Sequence, residues 1–254
     1  MTARRIHDAL RAGALAVLLG PGLGLPLMAA APDYRLHPQP IAPDVYVFEG
    51  PNENFTPDNG GGILNSGFIV GTKGVIVIDS GPSRQYGEQM RAAIGRVTGQ
   101  PVVQVYISHA HPDHFLGSQA FDGVPVAALA ATRDHIETHG GGINATLYRN
   151  LGPWMIGTTS TTPTVTVEPG PVRVAGRDLE LIAAGGHSGA DLMVLDVASG
   201  TLFTGDLVLG KGSSAVLHPD GRMSEYLASI LGFCQRTPNK IAPPLMTVQL
   251  AAFE

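Results

Sequence analysis

The chain has 254 residues, which suits one large domain or two small ones, and 44% of them are hydrophobic, enough for a sizeable core. The net charge is −5 and no basic block is present, which argues against nucleic acid as a partner. Cys234 is the single cysteine, so an internal disulfide and a cysteine-based zinc knuckle are both excluded. No pattern in the sequence specifies an oligomeric state.

The N-terminus has the pattern of a secretory signal peptide. Three arginines among the first eleven residues precede an apolar stretch from Ala14 to Met28, and the three alanines that end at Ala31 suit cleavage. Glycines and prolines interrupt this stretch, which makes it a poor permanent membrane helix; an uncleaved N-terminal anchor is the alternative. We therefore predict a signal peptide at residues 1–31 and an exported, periplasmic domain at residues 32–254 with no stable membrane span.

In the first half of the chain, short runs rich in Val and Ile, broken by Gly and Asn, have the pattern of strands. Among them, apolar residues recur at helical spacing in a segment that begins with Ser83, a suitable N-cap. We predict strands at Tyr46–Phe48, Ile63–Val70, Val75–Asp79 and Val102–Ile107, and a helix at Ser83–Val97.

The second half repeats this order of strands followed by a helix. The segment between the halves, Ala131–Ile156, is predicted to be mostly helical or irregular and to be interrupted by glycines 140–142. Two strand-rich segments, each followed by a helix, predict an α/β sandwich of two packed sheets with helices outside, rather than a doubly wound parallel sheet. The predicted elements are strands at Val172–Val174, Leu179–Ala183, Leu192–Val197 and Thr201–Thr204, and a helix at Met223–Leu231.

Four side chains that can bind a metal lie within six residues, directly after the predicted strand that ends at Ile107. His109 and His111 point to the same side of an extended segment and can reach one ion together. Asp113 and His114 follow on the turn into a helix and can face a second ion. Imidazole and carboxylate ligands suit Zn²⁺, and also Fe or Mn.

Two further residues can complete such a site. His187 lies in a Gly-Gly-His-Ser-Gly run, where small residues allow a sharp turn, and it would complete a three-histidine set with His109 and His111. Asp206 follows another apolar strand, where its carboxylate could bridge two cations; the alternative is a helix or turn cap.

These motifs resemble those of the metallo-β-lactamase superfamily, over about Val45 to Ile230. They are His-x-His-x-Asp-His at residues 109–114, Gly-His-Ser-Gly at 186–189, Thr-Gly-Asp at 204–206 and Val-Ile-Asp-Ser-Gly at 77–81. The resemblance implies an αββα sandwich of two mixed sheets flanked by helices, with Asp79 supporting the metal-bearing loop. It also implies one or two zinc ions bound by His109, His111, Asp113, His114, His187 and Asp206.

Within the superfamily, the chain is most similar to exported zinc metallohydrolases linked to quinoprotein and methylotrophic oxidation systems. The segments that carry this similarity are residues 56–61, 65–71, 114–121 and 144–154.

The C-terminus departs from the family pattern. The family usually has one more histidine ligand after the last helix, whereas His218, the one histidine beyond Asp206, precedes the predicted helix. From Leu231 onward the chain shows no helical apolar stripe, and we interpret this part as atypical, either altered or truncated. The alternative is a variant in which His218 or water replaces the missing ligand. Either way, we expect a weakened second metal site.

The ligand set predicts a zinc-dependent hydrolase that acts on an ester, thioester, lactone or amide-like bond of a small molecule. Asp113 is the predicted catalytic residue, because it is placed to orient the attacking water or to bind the second ion. The alternatives are a periplasmic β-lactamase, a glyoxalase-type thioesterase, a non-enzymatic accessory protein of a quinoprotein oxidation system and an inactive truncated product. Trp154 and Tyr148 either line the substrate cleft or pack in the core.

Overall fold

Two β-sheets lie face to face in the computed structural model, which describes residues 32–208 and 221–236. The predicted signal peptide and His218 lie outside these described residues. The first sheet contains, in spatial order, β1 (Gln39–Ala42), β2 (Val45–Phe48), β3 (Ser66–Gly71), β4 (Gly74–Ile78), β5 (Val102–Tyr106), β6 (Val126–Ala128) and β7 (Val165–Thr166). The second contains β8 (Gly170–Val174), β9 (Arg177–Ala184), β10 (Asp191–Asp196) and β11 (Thr201–Phe203), in the order β11-β10-β9-β8.

Strand direction differs between the two sheets. In the first, β1 to β4 pair antiparallel, whereas β4 to β7 pair parallel, so this sheet is mixed as expected. In the second, the described strands all pair antiparallel, which departs from the expectation of two mixed sheets. Connections of two to six residues join β8 to β9, β9 to β10 and β10 to β11, and such short connections favour antiparallel pairing.

Helices cover the sandwich. The described helices are α1 (Arg84–Val97), α2 (Pro112–Phe115), α3 (Ala130–Leu151) and α4 (Met223–Arg236), with 3-10 helices at Leu116–Phe121, Gly152–Met155 and Gly205–Leu207. The predicted cap of α1 is confirmed, because the Ser83 side chain accepts a hydrogen bond from the Tyr86 backbone N–H. None of the helices in the described ranges is long and apolar enough to span a membrane.

Alternate residues of β4 belong to two different cores. Val75 and Val77 belong to the buried cluster that contains side chains of α1 and α3, while Ile76 and Ile78 belong to the cluster that contains side chains of the second sheet. This division explains why β4 is a continuous apolar run, because both of its faces are buried. The predicted α/β sandwich with outer helices is therefore confirmed.

Two predictions of local structure were wrong. Glycines 140–142 do not interrupt the segment between the halves, because α3 continues through them and is anchored on both sides by the buried side chains of Ile136 and Leu147. The last helix does not end near Leu231, because α4 continues to Arg236.

Candidate metal centre

The residues of the predicted site converge where several strands end. His109 and His111 follow β5, and α2 carries Asp113 and His114. His187 follows β9 and Asp206 follows β11. The loops after three strands, drawn from both sheets, therefore bring together all six predicted ligands.

His109, His111, His187 and Asp206 form one group, in which the ligand atoms all lie within 4.8 Å of one another. The His187 Nε2 atom lies 2.9 Å from Nδ1 of His111 and 3.6 Å from a carboxylate oxygen of Asp206. The three histidines thus meet as the sequence predicts, and Asp206 lies with them. Three imidazoles and a carboxylate, with no thiolate, form a donor set that fits a borderline divalent ion such as Zn²⁺.

Asp113 and His114 lie beside this group. The His114 Nε2 atom is 3.3 Å from one carboxylate oxygen of Asp206 and 3.6 Å from an oxygen of Asp113. The rings of His109 and His114 are 4.1 Å apart between their centroids. Asp206 therefore lies between the two sets of side chains, which is the position expected of a carboxylate that bridges two cations.

Asp79 supports the loop after β5 through hydrogen bonds to Ser108 and His114. One of its carboxylate oxygens accepts a hydrogen bond from the Ser108 backbone N–H at 2.7 Å, and the other lies 2.8 Å from both Ser108 Oγ and His114 Nδ1. With Nδ1 bound to a carboxylate, the Nε2 atom of His114 faces Asp113 and Asp206. These contacts agree with the supporting role that the family resemblance implies for Asp79.

Two further residues, Ser108 and Asp191, hold the predicted ligands in place and were missed by the sequence analysis. Ser108 Oγ lies 2.9 Å from Nδ1 of His109, so Ser108 links Asp79 to a second histidine. Asp191 accepts hydrogen bonds from the backbone N–H groups of His187 and Ser188 and from Ser188 Oγ, at 3.2, 3.1 and 2.6 Å. The Ser-x-x-Asp spacing from Ser188 to Asp191 is a turn pattern that could have indicated the second one.

The buried carboxylates and His114 change one another's pKa values. Burial raises the pKa of Asp113 to about 6, although the charge of His114 opposes this change. Burial also acts to raise the pKa of Asp206, but the charge of His114 and a hydrogen bond from it outweigh burial and lower this pKa to about 2. Burial acts to lower the pKa of His114, but the nearby carboxylates of Asp206, Asp79 and Asp113 raise it well above its usual value. The carboxylates around His114 therefore favour a positive charge on its ring.

Trp154 and Tyr148 have different environments. Trp154 donates a hydrogen bond from Nε1 to the Pro57 carbonyl at 2.8 Å, and its ring lies 4.5 Å from the ring of Tyr34. Tyr148 is 48% exposed on α3. The contacts of Trp154 support the interpretation that this residue packs in the core rather than lines the substrate cleft.

Comparisons with known proteins point to one family. The family model described as the metallo-beta-lactamase superfamily matches residues 59–236, so the similarity extends beyond Ile230, where we expected it to end. No curated protein sequence matches the chain.

Solved structures resemble the fold of this chain. A metallo-beta-lactamase from Pontibacter korlensis is 21% identical with a TM-score of 0.65, and the match covers 81% of this chain and 88% of that one. The metallo-beta-lactamase IND-7 is 18% identical with a TM-score of 0.65, over 85% and 95% of the two chains. A metallo-beta-lactamase from Hirschia baltica is 16% identical with a TM-score of 0.63, over 81% and 87%.

Proposed function

Since this chain belongs to the metallo-beta-lactamase superfamily, we propose that it is a zinc-dependent hydrolase that cleaves an ester, thioester, lactone or amide-like bond of a small molecule. Membership of the superfamily and the cluster of histidine and aspartate side chains support a metal-dependent hydrolase in general. The observation that carries the proposal is the convergence of His109, His111, His187 and Asp206 within 4.8 Å.

Each residue has a proposed role in this reaction. His109, His111 and His187 would hold the first ion, and Asp113, His114 and Asp206 would be the ligands available for a second. A zinc ion held there would lower the pKa of a water molecule and polarise the bond to be cleaved. Asp113, with its carboxylate buried beside His114, is the residue that would orient such a water. Asp79 and Ser108 keep the rings of His109 and His114 in place.

The metal content of the purified protein is the first test. We expect zinc to co-purify at one or two ions per chain, where two would mean that Asp113, His114 and Asp206 hold an ion together with a substitute, such as His218 or water, for the usual further histidine. Iron or manganese in place of zinc would contradict the choice of metal, and protein that binds none of the three would contradict the proposed function.

Removal of the metal should also destabilise the protein. At a free zinc concentration 1,000 times Kd, binding adds about 4 kcal/mol to the free energy of unfolding. The Tm, measured by calorimetry, should therefore fall by roughly 8–16 °C after treatment with a chelator and recover with added Zn²⁺. His111→Ala should abolish most of this recovery, whereas His139→Ala, which changes an exposed histidine of α3, should not.

Activity can be measured on a panel of thioester, lactone, ester and β-lactam substrates. We expect zinc-loaded protein to cleave at least one class and Asp113→Asn to lose most of that activity. Cleavage of a chromogenic cephalosporin would favour the β-lactamase alternative, which the names of the similar structures make worth including. Zinc binding with no cleavage of any substrate would favour the non-enzymatic alternative instead.

We also propose that the protein is periplasmic and that residues 1–31 are removed on export. N-terminal sequencing of the protein from a periplasmic fraction should give Pro32 as the first residue. A chain that retains residues 1–31 would support the uncleaved anchor.

A further inference from the structure

The two turns that carry His187 and Asp206 are not joined by a strand pair of their own. We define the His187 turn as residues 185–190 and the Asp206 turn as residues 204–208. The first follows β9 and the second follows β11, and β10 lies between these strands in the sheet. Among the described strands, β9 and β11 each pair with β10 and not with each other, whereas Nε2 of His187 and a carboxylate oxygen of Asp206 lie only 3.6 Å apart.

The N-terminal half of α4 and the residue just before it contact the His187 turn through three hydrogen bonds. Ser229 Oγ donates to the Gly185 carbonyl at 2.8 Å and accepts from the Gly185 N–H at 3.1 Å. The Arg222 N–H, just before α4, donates to the Gly186 carbonyl at 3.1 Å. A side chain at position 186 would overlap the backbone of Tyr226, so the turn and the helix are in close contact.

The same helix also contacts the Asp206 turn. The Tyr226 hydroxyl donates a hydrogen bond of 2.7 Å to the carbonyl of Leu207, the residue next to Asp206. The Tyr226 ring packs against a small buried apolar cluster on this side of the second sheet, formed by Met193, Leu202 and Leu207. Tyr226 thus contacts Gly186 with its backbone and Leu207 with its hydroxyl.

We infer that α4 is a positioning element of the metal centre, in which Tyr226 and Ser229 set the distance between His187 and Asp206. The inference rests on the proposed metal site, but it concerns residues that bind no ion themselves. Groups that orient metal ligands from behind typically change metal affinity by 10- to 100-fold when they are removed. If α4 only covered the apolar cluster, removal of the Tyr226 hydroxyl would leave the metal centre unchanged, because the ring would remain.

Tyr226→Phe separates these two roles, because it deletes the hydrogen bond to Leu207 and keeps the ring. We expect Zn²⁺ affinity, measured by competition with a chromophoric chelator, to fall about tenfold. The visible spectrum of the Co²⁺-substituted protein, which reports ligand geometry, should shift. Ser229→Ala should have an effect in the same direction, and the double variant should have a larger one. Tyr148→Phe, which removes the hydroxyl of an exposed tyrosine on α3, is the matched control.

Two measurements on metal-free protein complete the test. The Tm of Tyr226→Phe should fall by less than about 4 °C, because a single partly exposed hydrogen bond is lost. Amide hydrogen exchange should become faster in the His187 and Asp206 turns, while exchange in β4 and β5 stays at the wild-type rate.

The outcomes distinguish the positioning role from the proposed function. Wild-type protein that binds zinc and cobalt, together with a Tyr226→Phe variant of equal affinity, spectrum and exchange, would overturn the positioning role alone. An affinity loss of the same size in Tyr148→Phe would overturn it as well. Wild-type protein that binds neither ion would overturn the proposed function and, with it, the positioning role.

Discussion

Asp79 lies at a left-handed backbone position, with φ of 59°, directly after β4. Asp and Asn adopt this conformation more readily than most residues. From there its carboxylate contacts Ser108 and His114 and is 1% exposed. A single buried residue therefore holds the loop that carries four of the six predicted ligands.

Asp79→Asn tests this support while it keeps the shape and the preferred backbone conformation. The amide nitrogen cannot accept a hydrogen bond, so either the Ser108 N–H or the group formed by Ser108 Oγ and His114 Nδ1 loses its acceptor. We expect zinc affinity to fall by roughly 10- to 100-fold, measured by chelator competition. Asp122→Asn, at an exposed position, should leave the affinity unchanged; an equal loss in both variants would contradict the role of Asp79.

At the scale of elements, α3 shows how packing outweighs local preference. Three consecutive glycines in a helix interior each disfavour the helix, and together they predict a break. Gly140 nevertheless lies in a buried contact with Ser160, and α3 continues for 22 residues. The close approach of Ser160 explains why a residue without a side chain stands at position 140, whereas Gly141 and Gly142 face open space.

Alanine substitutions at the three glycines of α3 should therefore change the free energy of unfolding in opposite directions. Gly141→Ala and Gly142→Ala should each raise the free energy of unfolding by about 0.5–1 kcal/mol, because alanine loses less backbone entropy and an added Cβ meets nothing within 4 Å. Gly140→Ala should lower it by roughly 1 kcal/mol, because its Cβ would overlap Ser160. Urea unfolding measures all three; stabilisation by Gly140→Ala would contradict the close contact.

At the scale of the whole molecule, an ion-pair group links the two sheets. Arg177 in β9 donates hydrogen bonds to both carboxylate oxygens of Asp196 in β10, and its guanidinium also lies 3.8 Å from Asp44, in the turn between β1 and β2. Asp196 is completely buried and also accepts hydrogen bonds from the backbone and side chain of Ser199. The carboxylate of Asp196 is thus fully hydrogen-bonded inside the protein.

Asp196→Ala should destabilise the protein by about 3–5 kcal/mol, because it leaves the mostly buried Arg177 without its main partner. The exposed pair of Arg173 and Asp178 provides the control, since Asp178→Ala should change the stability by less than about 1 kcal/mol. Urea unfolding of both variants checks the comparison. Similar losses of stability in the two variants would contradict this prediction, because burial of the pair of Arg177 and Asp196 would then not determine how much it stabilises the protein.

Local patterns predicted most of the strands, the helices α1 and α4 and the residues of the candidate site, but they did not predict the short strands β1, β6 and β7. Short runs rich in Val and Ile predicted β2 to β5, helical apolar spacing predicted α1, and the spacing of His109 and His111 predicted that both face one ion. The predicted break at glycines 140–142 was wrong. The pattern of neighbouring residues carries no information about the contact of Gly140 with Ser160, which is 20 residues away along the chain.

The sequence by itself determined the type of fold and the set of side chains able to bind a metal, because these depend on residue type and on spacing within one segment. Only the tertiary structure decided how those side chains meet. It placed Asp206 between the group of three histidines and the pair of Asp113 and His114, and it put Ser108 and Asp191 behind the ligands. It also put α4 against two turns that β10 separates. These contacts join residues far apart along the chain, and their geometry follows from the packing of two sheets, which spacing along the sequence does not record.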